Sequence, residues 1–194
     1  QNETILLKFT LSDGSYNDFQ VLEVTINVDY LNITINDVHT TNTSKGRICY
    51  NGVSQADGLG FNFLNDGTLA YETGFMVGVN GNVSDNVRGA VGGATDEDFS
   101  PVVTIQKHEP GIWSDFDTYG KFNDAANATA PLGLLMEYRS FSFANAPDAR
   151  YHIFEYKIKN TSGVTRNNVY AGIFSDWDIQ TYANNKAAED AGLK

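Results

Sequence analysis

His152-Ile-Phe-Glu-Tyr-Lys-Ile-Lys159 alternates strictly, with His152, Phe154, Tyr156 and Ile158 on one side and Glu155, Lys157 and Lys159 on the other. Side chains two apart share a face only in an extended chain, so this segment reads as a β-strand with one buried face. The same period recurs elsewhere. Ile5, Leu7, Phe9 and Leu11 alternate with Leu6, Lys8 and Thr10; Leu22, Val24, Ile26 and Val28 with Glu23, Thr25 and Asn27; Leu31, Ile33 and Ile35 with Asn32, Thr34 and Asn36. Each predicts a strand burying one face. Val169 to Ile179 puts Ala171, Ile173, Trp177 and Ile179 opposite Tyr170, Gly172, Phe174, Asp176 and Asp178, a face that turns from apolar to acidic. Leu132 to Phe143 is a further apolar strand, on which Glu137 and Arg139 form a rim pair worth under ~1 kcal/mol.

Turn dipeptides separate these runs: Asp13-Gly14, Asn51-Gly52, Asp57-Gly58, Asp66-Gly67, Asn80-Gly81 and Ser162-Gly163. Asp/Asn-Gly accepts the positive φ of tight hairpins. Short strands spaced by such turns predict an all-β fold, an antiparallel β-sandwich of jelly-roll or Ig-like character. Helix signals are few; the best is Tyr182 to Leu193, which lacks an apolar stripe. The pattern changes phase near Asp29-Tyr30. Residues 1–29 therefore read as strands closing a preceding Ig-like domain or as an edge of the same sandwich, and residues 30–194 as the sandwich domain.

Composition narrows the function. The 194 residues carry 24 acidic and 13 basic side chains, a formal net charge of −11. Nucleic-acid binding needs a Lys/Arg surface, which this balance lacks. No apolar run approaches the ~20 residues of a membrane-spanning helix. A first residue of Gln1 and an Asn-rich end before Lys194 suggest a piece of a longer chain. Cys49, the only cysteine, excludes an internal disulfide and reads as a small buried hydrophobe. Six N-x-S/T sequons, at Asn2, Asn32, Asn42, Asn82, Asn127 and Asn160, fit the Asn/Ser/Thr-rich surface of a secreted or cell-surface bacterial protein better than glycosylation.

Chemistry-bearing residues are sparse. His39, His108 and His152 stand in no hydrolase motif, and His152 falls on a core face. One cysteine and three scattered histidines give no zinc spacing. Asp176, Asp178, Asn184, Asn185 and Asp190 offer the hard oxygen ligands calcium prefers. Asp96-Glu97-Asp98 and the set Asp115, Asp117 and Asp124 are two further acidic stretches, and solubility alone also accounts for acidic loops. Trp113 and Tyr119 lie in a Gly/Asp-rich segment as a candidate sugar platform, although Trp113 after Ile112 reads first as a core residue.

A series of segments carries a resemblance: Gly58-Leu-Gly-Phe61, Leu69-Ala-Tyr-Glu-Thr-Gly-Phe-Met-Val-Gly78, Val83-Ser-Asp-Asn-Val-Arg88, Asp98-Phe-Ser-Pro101, Ser114-Asp-Phe-Asp-Thr-Tyr-Gly-Lys-Phe-Asn-Asp124, Pro131-Leu-Gly-Leu-Leu135, Glu155-Tyr-Lys-Ile-Lys-Asn160 and Asn168-Val-Tyr-Ala-Gly-Ile-Phe-Ser-Asp-Trp-Asp-Ile179. Over residues 20–194 this order resembles the β-rich region downstream of the catalytic domain in secreted subtilisin-like serine peptidases of the Bacteroidetes type. The resemblance implies export by type IX secretion and catalytic residues upstream, so none is carried over to this chain. It also implies a further aromatic strand after the Asp176-Trp-Asp-Ile179 segment, and hence a sandwich incomplete at its C-terminus. The expected role is a non-catalytic accessory domain that touches neighbouring domains of its parent chain. A carbohydrate-binding module and a calcium-stabilised adhesion domain, engaging polysaccharide or a surface protein, are the alternatives.

Overall fold

A computed structural model describes residues 3–15, 17–26, 28–87, 95–186, 188 and 192. All the described sheet pairings are antiparallel, and they build a β-sandwich with a separate hairpin. The hairpin is β1 (Glu3–Ser12) and β2 (Asn17–Ile26). One sheet runs β3 (Tyr30–Ile33), β4 (Val38–Thr43), β5 (Arg47–Ile48), β7 (Ala70–Val79) and β13 (Val169–Trp177) in spatial order, with β6 (Phe61–Phe63) on β4 and β8 (Asn82–Asp85) on β7. The facing sheet is the meander β9 (Ser100–His108), β10 (Phe116–Asn123), β11 (Leu134–Ser142) and β12 (His152–Asn160). The turn at Asn80-Gly81 joins β7 to β8 with φ of 52° and 86°. Two consecutive positive values suit the twist of a two-residue hairpin.

Aromatic side chains fill the space between the sheets. Phe75 of β7 stacks on Tyr156 of β12 at 4.4 Å, and Phe99 and Phe122 meet at 4.8 Å. Val77, Val79, Ile105, Leu134 and Met136 complete this core. Gly120 on β10 is where Tyr138 lies, since a Cβ there would stand 2.6 Å from its ring. Tyr138 then reaches across to donate its hydroxyl to the Thr43 carbonyl at 2.6 Å.

The interior also holds a polar layer that alternation of apolar residues does not reveal. Asn42 on β4 donates to Ser140 on β11 at 2.8 Å, and Ser140 shares a 2.6 Å bond with Thr118 on β10. Asn42 is thus a structural amide, 1% exposed, and Asn127 donates to Ser84 at 3.0 Å in a buried position. Both sequons are spent on packing in the folded chain. Arg47 is buried as well. Its guanidinium faces Glu72 at 3.6 Å and donates to the carbonyls of Tyr50 and Asn86.

The expectation that every alternating run buries a face fails at the hairpin. Among the described residues β1 and β2 pair only with each other, and Leu7, Phe9, Leu11 and Leu22 are exposed on one side and Leu6, Phe19 and Val21 on the other. The Tyr182 to Leu193 helix signal gives a 3-10 turn at Tyr182–Asn184; residues 187, 189–191, 193 and 194 lie outside the described residues. Among the described residues no helix is long and apolar enough to cross a membrane.

Candidate functional site

The loop between β9 and β10 is built around one carboxylate. Asp117, 2% exposed at the start of β10, accepts the backbone N–H groups of Ile112, Trp113 and Ser114 at 2.6, 2.9 and 3.1 Å. Three consecutive amides converging on a carboxylate make a rigid turn, because each bond is charge-assisted. Gly111 fits beneath it where any Cβ would meet the Ser114 carbonyl at 2.4 Å and the Asp117 carboxyl carbon at 2.7 Å. Ser142 donates its N–H to the Ser114 hydroxyl at 3.0 Å, and Ala144 donates to Asp115 at 2.8 Å, tying the loop to the end of β11.

This turn holds Trp113 outward, 57% exposed, and corrects its reading as a core residue. The local chain is committed to Asp117, so the side chain emerges on the solvent face of the β9–β12 sheet. There the β10–β11 register sets Tyr119 opposite Arg139. The Arg139 guanidinium lies 4.8 Å from the Trp113 ring centre and 5.8 Å from that of Tyr119, and Phe141 meets the Trp113 ring edge-on at 6.0 Å. Gln106, His108 and Ile112 join these residues around an open cleft of about 290 Å³. The structure thus brings Trp113 and Tyr119 together and adds Arg139, which the sequence shows only as the partner of Glu137. That ion pair is 3.9 Å long, and Glu137 is closer to Lys121, at 3.0 Å. Lys121 holds the Glu137 carboxyl below its usual pKa. Aromatic faces beside amide, imidazole and guanidinium donors are suited to a polyhydroxylated ligand lying flat on the sheet.

Several carboxylates of the acidic stretches accept backbone amides. Asp124 accepts the N–H groups of Leu132, Gly133 and Leu134, the last two at 3.1 and 2.8 Å. Asp98 accepts from Asp85 at 3.2 Å, and burial raises the Asp98 pKa, with Asp96 and Asp124 adding to it. Asp117, Asp124 and Asp115 therefore pin loops through backbone amides, as a cation would through carbonyls. Asp176 and Asp178 lie half-buried at the end of β13, where a bulge separates Asp176 from Trp177. Asn185 donates its amide to the Trp177 carbonyl at 2.6 Å, and Asn184 lies in the 3-10 turn. Asp190 lies outside the described residues. Among the described residues no three His, Cys, Asp or Glu side chains converge in a metal-binding group.

Ser142 and His152 face each other across β11 and β12, with Oγ 2.6 Å from Nδ1. His152 Nε2 lies 2.7 Å from the Val38 carbonyl, which only accepts, so Nε2 carries the proton and Nδ1 accepts from Ser142. Ser142 is fully buried, and the pair serves the interior. Burial pulls the imidazole pKa below its ordinary value; the Val38 bond opposes this and His39 adds to it. The unfolded chain therefore takes up this proton at a higher pH than the folded one, and stability falls as pH drops below about 6.5. Melting temperatures between about pH 7.5 and 5 should fall more steeply for the native chain than for His152→Gln. Equal slopes would remove His152 from the acid response. Cys49 has its thiol pushed up to about 11 by burial and stays protonated at neutral pH.

Comparisons with protein-family models, with curated proteins and with solved structures find no match, so fold and cleft rest on the chain's own geometry.

Proposed function

We propose that this chain is a non-catalytic accessory β-domain of a larger secreted or cell-surface bacterial protein, of the kind the sequence resemblance sets behind a subtilisin-like catalytic domain. The observation that carries the reading is the β1–β2 hairpin. Its apolar side chains are exposed on both faces, with Leu6 66%, Leu11 75% and Phe19 58% accessible. A lone two-stranded ribbon is marginal in water, and a two-sided apolar ribbon gains stability once a neighbouring domain covers it. The test is the intact mass of the protein from its source, with sequencing of the peptides that flank Gln1 and Lys194. A much larger species with upstream subtilase motifs is the expected result. A mature species near 21.3 kDa overturns it.

The Trp113 cleft favours a second reading, a carbohydrate-binding role for the same domain. Trp113→Ala should abolish retention on insoluble polysaccharide while moving the melting temperature by only about 2 °C, because the ring is largely solvent-exposed. Absence of retention of the native chain across a polysaccharide panel would end this reading.

A further inference from the structure

The Arg139 guanidinium is held between two aromatic rings. It lies over the Trp113 ring at 4.8 Å and over that of Tyr119 at 5.8 Å. Trp113 is in turn braced by Phe141, edge-on, and by the Asp117 turn that holds its backbone N–H. Ring contacts orient a guanidinium without using its N–H groups. Among the described residues its one ion pair, to Glu137, is 3.9 Å long and beyond hydrogen-bond reach.

The carboxylates around Arg139 are engaged with other groups. Glu137 is closer to Lys121, at 3.0 Å. Glu155, opposite Arg139 in the β11–β12 register, has Lys157 at 3.9 Å. Asp117 accepts three backbone N–H groups beneath the loop, Asp115 accepts that of Ala144, and Glu109 pairs with Lys107. A second cation, Lys121, lies 5.7 Å from the Tyr119 ring. Arg139 thus lines the cleft as a cation with no carboxylate in hydrogen-bond contact among the described residues, in a chain of net charge −11.

We propose that the cleft selects an acidic polysaccharide, with the carboxylate or sulfate of one sugar on the Arg139 guanidinium and a sugar ring against Trp113 and Tyr119; in this the proposal rests on the carbohydrate-binding reading of the same cleft. A planar guanidinium meets two oxygens of either anion at once, through charge-assisted bonds. A neutral sugar gains less, because the guanidinium over Trp113 takes up one face of the ring on which it would stack. The acidic remainder of the chain opposes a polyanion elsewhere on the surface.

The test is titration calorimetry of the 1–194 chain against two pairs of soluble polymers, polygalacturonate with its methyl ester and dextran sulfate with dextran. In about 0.15 M salt, charges more than about 8 Å apart are screened. One acidic polymer should bind about tenfold or more tightly than its neutral partner, and the pair that shows the preference tells carboxylate from sulfate. Arg139→Gln, its fold checked by its melt, should remove the preference and keep the weaker neutral binding. Lys159→Gln removes the same charge from the same sheet face outside the cleft and should leave the preference within about twofold. Equal binding of acidic and neutral polymers would overturn the acidic selection and leave the carbohydrate reading standing. Binding to no polymer of either kind would end both. A preference that survives Arg139→Gln, or is lost equally in Lys159→Gln, would place the recognition in diffuse charge rather than at Arg139. Loss of neutral binding along with acidic binding in Arg139→Gln would reduce Arg139 to a prop for Trp113.

Discussion

Replacing Arg47 by methionine should lower the unfolding free energy by about 3–5 kcal/mol, because it removes one side of a buried ion pair with Glu72. Arg47 is 5% and Glu72 3% exposed, so water reaches neither partner. Burial pulls the guanidinium pKa down, with Glu72 as the main opposing influence, and the group remains charged. The lost bonds to the Tyr50 and Asn86 carbonyls add to the penalty. For a chain of this size each kcal/mol corresponds to roughly 2–4 °C in melting temperature, so a drop on the order of 6–20 °C is expected. The double variant Arg47→Met with Glu72→Gln should recover part of it, since the buried charge is then gone. Additive losses in urea melts of the two single variants and the pair would show that Arg47 and Glu72 are not coupled.

Asp124→Ala should be comparably damaging. Its carboxylate, 1% exposed, is the acceptor for the amides of Leu132, Gly133 and Leu134, where the chain turns into β11. Alanine leaves these donors without an acceptor in a closed environment, at about 1–3 kcal/mol each before relaxation, and a net loss of about 3–5 kcal/mol follows. Asp124→Asn keeps one acceptor oxygen and should fall between alanine and the native chain. The measurement is urea unfolding, with exchange rates at 132–134 as the local readout. A loss below about 1 kcal/mol would mean that water takes over the carboxylate's role.

The two predictions mark where sequence reading runs out. Period-two alternation was legible in β1, β2 and β12, because a strand with one apolar and one polar side declares itself whether or not it is buried. Burial was not legible in the hairpin: Phe9 and Leu11 alternate like core residues, but nothing in their own segment says whether a third strand is present. β4, with Val38-His-Thr-Thr-Asn-Thr43, has the opposite problem. Its residues look solvent-facing, and most are buried because Asn42 and Thr43 find partners on the other sheet. At the cleft, Trp113 and Tyr119 were visible as residue types. Arg139 was not, because it joins them only through the β10–β11 register. The role of Asp117 follows from loop closure. Its one sequence signal is the spacing Gly111-Ile-Trp-Ser-Asp-Phe-Asp117, in which a turn glycine precedes residues able to cap backbone amides.

The bond from Asn42 to Ser140 also has a mechanical consequence. Hydrocarbon surfaces resist being pulled apart but slide on one another with little directional resistance. Asn42 belongs to one sheet and Ser140 with Thr118 to the other, so their contact works as a key between two plates. A slip by one residue, about 3.3 Å along a strand, takes the amide out of reach of the hydroxyl and leaves both in a dry interface. Under tension along the strands, the two layers are indexed against shear at that point.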